Sequence, residues 1–233
     1  MKTLYPAESR GKGDYGWLKT RYSFSFGNYY NPERLGFGAL QVINDDRVEA
    51  GTGFDFHSHD NMEIITIPLS GALLHKDTMG NSKTVSTGEV QVMSAGSGVT
   101  HSEWNASSSE AVELLQIWVA TSVRDVAPHY DQMGLDENMN NTWQNIVSPY
   151  PGNGGLWIHQ NAWFSRGRFD AGSKGNYTLK NPNHGVYLFV IQGQVSVGGQ
   201  VLHARDAMEI TGEDHIELIP QTASDILLIE VPL

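Results

Sequence analysis

The sequence predicts an all-β protein built as two tandem antiparallel β-barrels of jelly-roll type. Two observations lead there. Short runs rich in Val, Ile, Phe, Tyr and Thr recur along the chain and stop at Gly, Asn or Asp turns, and the first half shows no convincing helical periodicity. The order of runs in the first half is also echoed in the second. Residues 63–71 and 187–193 are each an apolar strand meeting a glycine turn, residues 88–93 resemble 205–210, and residues 114–119 resemble 226–231.

In chain order, residues 37–43 form an apolar run expected to stop at the turn cluster Asn44-Asp45-Asp46. Residues 53–59 alternate, which places Phe54, Phe56 and Ser58 on one face and Asp55, His57 and His59 on the other. Residues 62–67 are rich in β-branched side chains and end at Ser70-Gly71; residues 72–77 make another strand before the hairpin-like Met79-Gly80-Asn81. Residues 90–93 lead into Ser94-Ala95-Gly96-Ser97-Gly98, and residues 112–119 read as a long buried strand. Residues 122–155 are rich in Asn, Asp, Pro and Gly, as expected of an irregular or short helical connector. Strands resume at 156–158, 162–164, 185–191, 194–197 and 225–231. The expected domains are an N-terminal barrel over residues 1–121, a connector over 122–155 and a C-terminal barrel over 156–233.

Composition excludes several function classes. The chain has 233 residues, enough for one large or two small β domains. A net charge of −11 with only 15 basic residues, scattered, argues against direct nucleic-acid binding, which needs clustered Lys and Arg. The absence of cysteine removes disulfides, thiolate metal sites and thiol nucleophiles together. Neither a signal-peptide core nor a long apolar span is present, so a cytoplasmic protein with no membrane role, and a monomer, is expected.

Two short phrases carry the chemistry: His57-Ser58-His59 and His101-Ser102-Glu103. On strands, alternate residues share a face, so His57 projects with His59 and His101 with Glu103. The chain between them, residues 60–100, is long enough to return to the same neighbourhood. Three imidazoles and a carboxylate converging on one point suit a first-row divalent metal and leave open positions for water, dioxygen or an ionised oxygen of a substrate. Glu63 is a candidate to orient a ligand or to coordinate directly. His75, His129, His159 and His203 lack partners at ligand spacing and are expected to be structural or exposed. In the second half His184 has no companion, and His215-Ile216-Glu217 imitates the His-x-Glu pattern at a shorter distance from its glycine turn, so no second site is expected. The six tryptophans are compatible with an aromatic substrate, but aromatics fill barrel cores in any case.

The spacing Gly51-x5-His57-x-His59-x3-Glu63-x7-Gly71 is similar to the first signature of the cupin superfamily, and Gly88-x5-Ser94-Ala95-Gly96-x4-His101-x3-Asn105 is a relaxed form of the second. Within the cupins the chain resembles the pirin family more specifically, in residues 57–63, 75–81 and 90–103 and in the early stretches 22–30 and 41–46. Ser94 stands where cupins usually have Pro, and Ser58 where many pirins have Pro; neither change removes a ligand. The resemblance implies a bicupin fold with one metal site, in the N-terminal barrel, held by His57, His59, His101 and Glu103. Germin-like cupins instead take their carboxylate at the position of Glu63. The C-terminal barrel is implied to be a metal-free scaffold. The implied activity is quercetin 2,3-dioxygenase: a flavonol ring is opened with dioxygen and carbon monoxide is released, with Glu103 as the candidate base. Iron is the first expectation for the metal, and manganese, nickel, cobalt, copper and zinc suit the same ligands. Eukaryotic pirins resemble the chain in the same residues and act as iron-dependent partners of transcription regulators. The alternative is therefore a metal-containing regulatory protein that contacts a metabolic enzyme or a transcription regulator. A cupin of unrelated substrate, such as an isomerase, is a third reading.

Overall fold

The structure is a computed structural model that describes residues 1–152 and 154–233, and apart from one 3-10 turn at Ala7–Ser9 its regular elements are all strands. They are β1 (Lys2–Tyr5), β2 (Gly11–Asp14), β3 (Leu18–Tyr22), β4 (Leu40–Val48), β5 (Gly53–His59), β6 (Met62–Ser70), β7 (Ala72–Asp77), β8 (Ser82–Ser86), β9 (Glu89–Ser94), β10 (Val99–Asn105) and β11 (Val112–Ala120). There follow β12 (His129–Gly134), β13 (Thr142–Ser148), β14 (Leu156–Trp157), β15 (Trp163–Phe169), β16 (Gly175–Thr178), β17 (His184–Gln192), β18 (Gln194–Val197), β19 (Gln200–His203), β20 (Ala207–Ile210), β21 (His215–Pro220) and β22 (Ser224–Pro232). Among the described residues no helix is long and apolar enough to cross a membrane.

Packing divides the chain into two units, residues 11–135 with 156–160, and residues 1–10, 136–155 and 161–233. The linear division at 121 and 156 expected from composition is therefore not the one the packing makes. β1 pairs with β20, so the first ten residues join the C-terminal unit. The expected connector, 122–155, is split: β12 extends the first unit by pairing with β9, and β13 pairs with β15 in the second. The polar composition that suggested a connector suits an edge such as β12, which has a strand on one side only and needs fewer apolar residues.

In the first unit a large sheet, ordered β12-β9-β6-β11-β4-β3-β2, packs against a small one, β5-β10-β7-β8. The central β6 and β11 bury Ile64, Ile65, Ile67, Leu114, Leu115 and Ile117, which accounts for their near-continuous apolar sequence. In the second unit the sheets are β1-β20-β17-β22-β15-β13 and β16-β21-β18-β19, closed over a core that includes Phe169, Tyr177, Leu188, Leu202, Met208 and Leu228.

Two local departures from the sequence reading shape the candidate site. Asn44-Asp45-Asp46 is not a turn: β4 runs through it, paired with β11 and with β3. Two flanking strands override the turn preference of Asn and Asp, as tertiary context commonly does for strand propensity. The alternation of β5 is also interrupted, because the pairing steps from His101 opposite His57 to Glu103 opposite Phe54. This bulge swings Phe54 to the inner face beside His57 and leaves Phe56 outside, 62% exposed.

Candidate metal centre

The histidines are assembled by β10, which lies between β5 and β7 with His101 opposite both His57 and Asp77. Close pairing of β5 with β10 depends on Gly53, where an added Cβ would lie 2.4 Å from the Glu103 carbonyl oxygen and 2.5 Å from Trp104 Cα. The ring centroid of His101 lies 4.5 Å from that of His57 and 4.9 Å from that of His59, and the His57 and His59 rings are 4.8 Å apart. One ring nitrogen from each falls within 4.8 Å of the others. His57 Nδ1 lies 2.7 Å from the Asp55 carbonyl, to which it donates its proton, so its Nε2 carries the lone pair. The Nε2 atoms of His59 and His101 are buried and have no hydrogen-bond partner among the described residues. Burial, then repulsion from His57, lowers His59 to about 4 and depresses His101 further still. Three convergent imidazoles, two of them with buried, unpartnered Nε2 atoms, form a donor set that fits a divalent transition metal.

Glu103 is within reach of the same cluster through His101, with which it and His75 form a second convergent group. Its Oε2 accepts a 2.6 Å hydrogen bond from Gln116 Nε2, and the Thr66 hydroxyl lies 3.4 Å from its Oε1. Burial pushes its pKa up to about 7. A cation held by the imidazoles would favour its ionised form.

Sequence reasoning passed over His75. It is fully buried, its Nε2 lies 2.9 Å from Asp77 Oδ2, and its Nδ1 lies 3.5 Å from His101 Nδ1. Asp77 also accepts from Asn81 Nδ2 and from the backbone N–H groups of Met79 and Asn81. Burial alone would raise Asp77, but the hydrogen bonds from His75 and Asn81 hold it below the usual carboxylate range. An Asp77–His75–His101 chain of this kind places the His101 proton on Nδ1 and leaves Nε2 free. The usable signal was that His75 and Asp77 stand two residues apart on one strand, a pairing as suggestive as His57 and His59.

Glu63 stands apart from the histidine cluster. Thr66 faces inward to Glu103, so Glu63, three residues earlier on β6, points to the opposite face, where it is fully buried and accepts from the Ser94 hydroxyl. His159 and Thr121 are its neighbours there, and the His129 ring stacks on Trp157 at 4.2 Å. His203, His215 and Glu217 are exposed. His184 is buried with its Nδ1 3.4 Å from Glu230 Oε1.

Beside the histidines lies a cavity of about 230 Å³. His57, Phe54 and Glu103 line it from the small sheet, and Leu18, Thr20, Tyr22, Asn44, Asp46, Gln116 and Trp118 line it from the large one, with Phe26 of the intervening segment. Trp118 packs edge-on against His59 at 4.9 Å and against Phe26 at 5.2 Å. The wall is mostly apolar with a few polar groups, the usual make-up of a small-molecule site.

Two β units, the first with convergent imidazoles beside a mostly apolar cavity, define a tandem cupin with a metal-binding centre. Residues 5–119 match the family model described as Pirin, and residues 145–231 match a quercetinase C-terminal cupin domain. The chain belongs to the pirin family. It is 38% identical over 232 residues to a quercetin 2,3-dioxygenase of Escherichia coli strain K12, covering 100% of this chain and 99% of that protein. It is 34% identical over 227 residues to a pirin-like protein of Caulobacter vibrioides, covering 97% of each. Among solved structures, the bacterial pirin YhhW of Escherichia coli in complex with nickel(II) superposes with a TM-score of 0.95 at 37% identity, covering 100% of this chain and 99% of that one.

Proposed function

We propose that the chain is a metal-dependent dioxygenase of the quercetin 2,3-dioxygenase type, in which His57, His59, His101 and Glu103 hold one divalent transition metal. The observation that carries this reading is the set of buried, unpartnered imidazole nitrogens opening onto a mostly apolar cavity. The bound cation would supply positive charge that favours the ionised 3-hydroxyl of a flavonol and a centre at which dioxygen can react. The protein's part is positioning and proton handling. Phe54, Trp118 and Phe26 present apolar surface to a planar ring. Glu103, fixed by Gln116 and Thr66, is placed to take the 3-hydroxyl proton on a carboxylate oxygen. Half-exposed His57 and His59 put the centre within reach of a substrate from solvent.

The test is aerobic quercetin consumption by protein reconstituted with iron, manganese, nickel, cobalt, copper or zinc in turn. Turnover with at least one redox-capable metal, with carbon monoxide released, is the expected outcome. No turnover with any of them would favour the regulatory reading, which has the exposed Phe56 and Trp104 on its side. A second expectation concerns the support behind His101. Asp77→Asn should weaken metal affinity about 10- to 100-fold, measured by competition with a chelator, because the amide no longer holds His75 in its orienting tautomer. Unchanged affinity would remove Asp77 from the centre.

A further inference from the structure

The large sheet carries a polar row across the inside of an apolar barrel. Gln91 pairs with Thr66, Thr66 with Gln116, Gln116 with Asn44, and Asn44 with Tyr22, so side chains from β9, β6, β11, β4 and β3 stand side by side. One step along β4, Asp46 pairs with Thr20 on β3 and with Leu114 on β11. Towards Glu103 the acceptors of the row are bonded: Gln116 binds Glu103, the Thr66 hydroxyl lies 3.0 Å from Gln116 Oε1 and the Tyr130 hydroxyl 3.3 Å from Gln91 Oε1, leaving Gln91 Nε2 as a spare donor. The acceptors at the β4 end are not. Asn44 is 5% exposed and Asp46 4%, both line the cavity, and Asn44 Oδ1 and Asp46 Oδ1 have no hydrogen-bond partner among the described residues; the neighbouring Thr20 hydroxyl is oriented towards the Asp46 carboxyl without closing a bond to Oδ1.

Such an arrangement is costly without a ligand. A buried acceptor left unsatisfied keeps its full desolvation penalty, and an apolar residue would pack there without it. Two unsatisfied acceptors close together on one strand match two hydroxyl donors on one ring edge. We propose that Asn44 and Asp46 form a hydroxyl-recognition wall that selects polyhydroxylated aromatic ligands over bare ring systems, a reading that rests on the dioxygenase assignment of the same cavity. The centre on the small sheet would take the ionised oxygen of the ligand, while β4 on the facing sheet would read the ring hydroxyls. Selectivity of this kind is strong because the analogue lacking the hydroxyls leaves the acceptors buried and unpaired.

The experiment compares quercetin with 3-hydroxyflavone, which lacks the ring hydroxyls, on metal-loaded full-length protein. Wild type should show KM lower by about tenfold or more for quercetin, with kcat less affected. Asn44→Leu and Asp46→Leu should each shrink that ratio, and Asp46→Asn, which keeps shape and an acceptor oxygen, should retain part of it. Equal KM values in the wild type, or an undiminished ratio in folded Leu variants, would overturn the proposal; the wild-type comparison needs no variant to fold. Equilibrium binding of the same two ligands, followed by tryptophan quenching, separates the two readings. Preferential binding of quercetin without turnover would overturn the dioxygenase assignment and leave the wall standing. Turnover of both flavonols at equal affinity would do the reverse.

Discussion

Replacing His101 with Ala is expected to reduce metal affinity and quercetin turnover together by more than about 100-fold. His101 sits at the middle of the cluster: its ring neighbours those of His57, His59 and His75, and its Nε2 is buried without a partner among the described residues. Outer partners of a ligand typically matter 10- to 100-fold, so loss of a ligand itself should exceed that. The same variant has a stability readout. A ligand at 100 times its Kd stabilises the folded state by about 2.7 kcal/mol, and about 1 kcal/mol moves the melting point of a chain this size by about 2–4 °C. A chelator should therefore lower the wild-type Tm by about 5–10 °C and leave that of His101→Ala unchanged. Metal content measured on the purified variant decides the matter. Full occupancy, or a Tm still sensitive to chelator, would sink the assignment of His101 as a ligand.

The histidines were legible because strand alternation is a short-range rule: two residues apart on a strand means one face, whatever the rest of the chain does. His57, His59 and His101 needed only that rule and a return of the chain. What failed depended on neighbouring strands. Asn44-Asp45-Asp46 reads as a turn by composition, yet β3 and β11 hold it extended, and two of its side chains then face the cavity. Phe54 was placed with Phe56 because a bulge between β5 and β10 is a property of the pair and not of either strand. His75 was set aside because its partners, Asp77 and His101, become visible as a chain only once β7 and β10 are paired. The places where local rules lose to packing cluster around the candidate site, which is where such conflicts are expected. The pairing of the first strand was illegible for a different reason. β1 reaches the C-terminal unit by pairing with β20 across most of the sequence, and no composition shift marks that.

Glu230→Ala should strongly destabilise the C-terminal unit, costing about 3–5 kcal/mol and leaving the metal centre's residues untouched. Glu230 is fully buried on β22. Its carboxylate accepts from the Tyr177 hydroxyl at 2.8 Å and from the backbone N–H groups of Lys180 and Asn181 at 2.9 Å, and His184 Nδ1 lies 3.4 Å away. The carboxylate also accounts for Tyr177, whose hydroxyl is raised well above its ordinary value by burial first and by Glu230 next. Removing it strands two backbone donors and a phenol in the interior, each an unsatisfied group costing about 1–3 kcal/mol, while the shape change adds a cavity. A domain commonly has only about 5–15 kcal/mol to lose. Glu230→Gln keeps one acceptor and the side-chain volume, so it should recover part of the loss. Urea unfolding with both variants checks this. A midpoint for Glu230→Ala within error of the wild type would show that the loop carrying Lys180 and Asn181 is held by something other than this carboxylate.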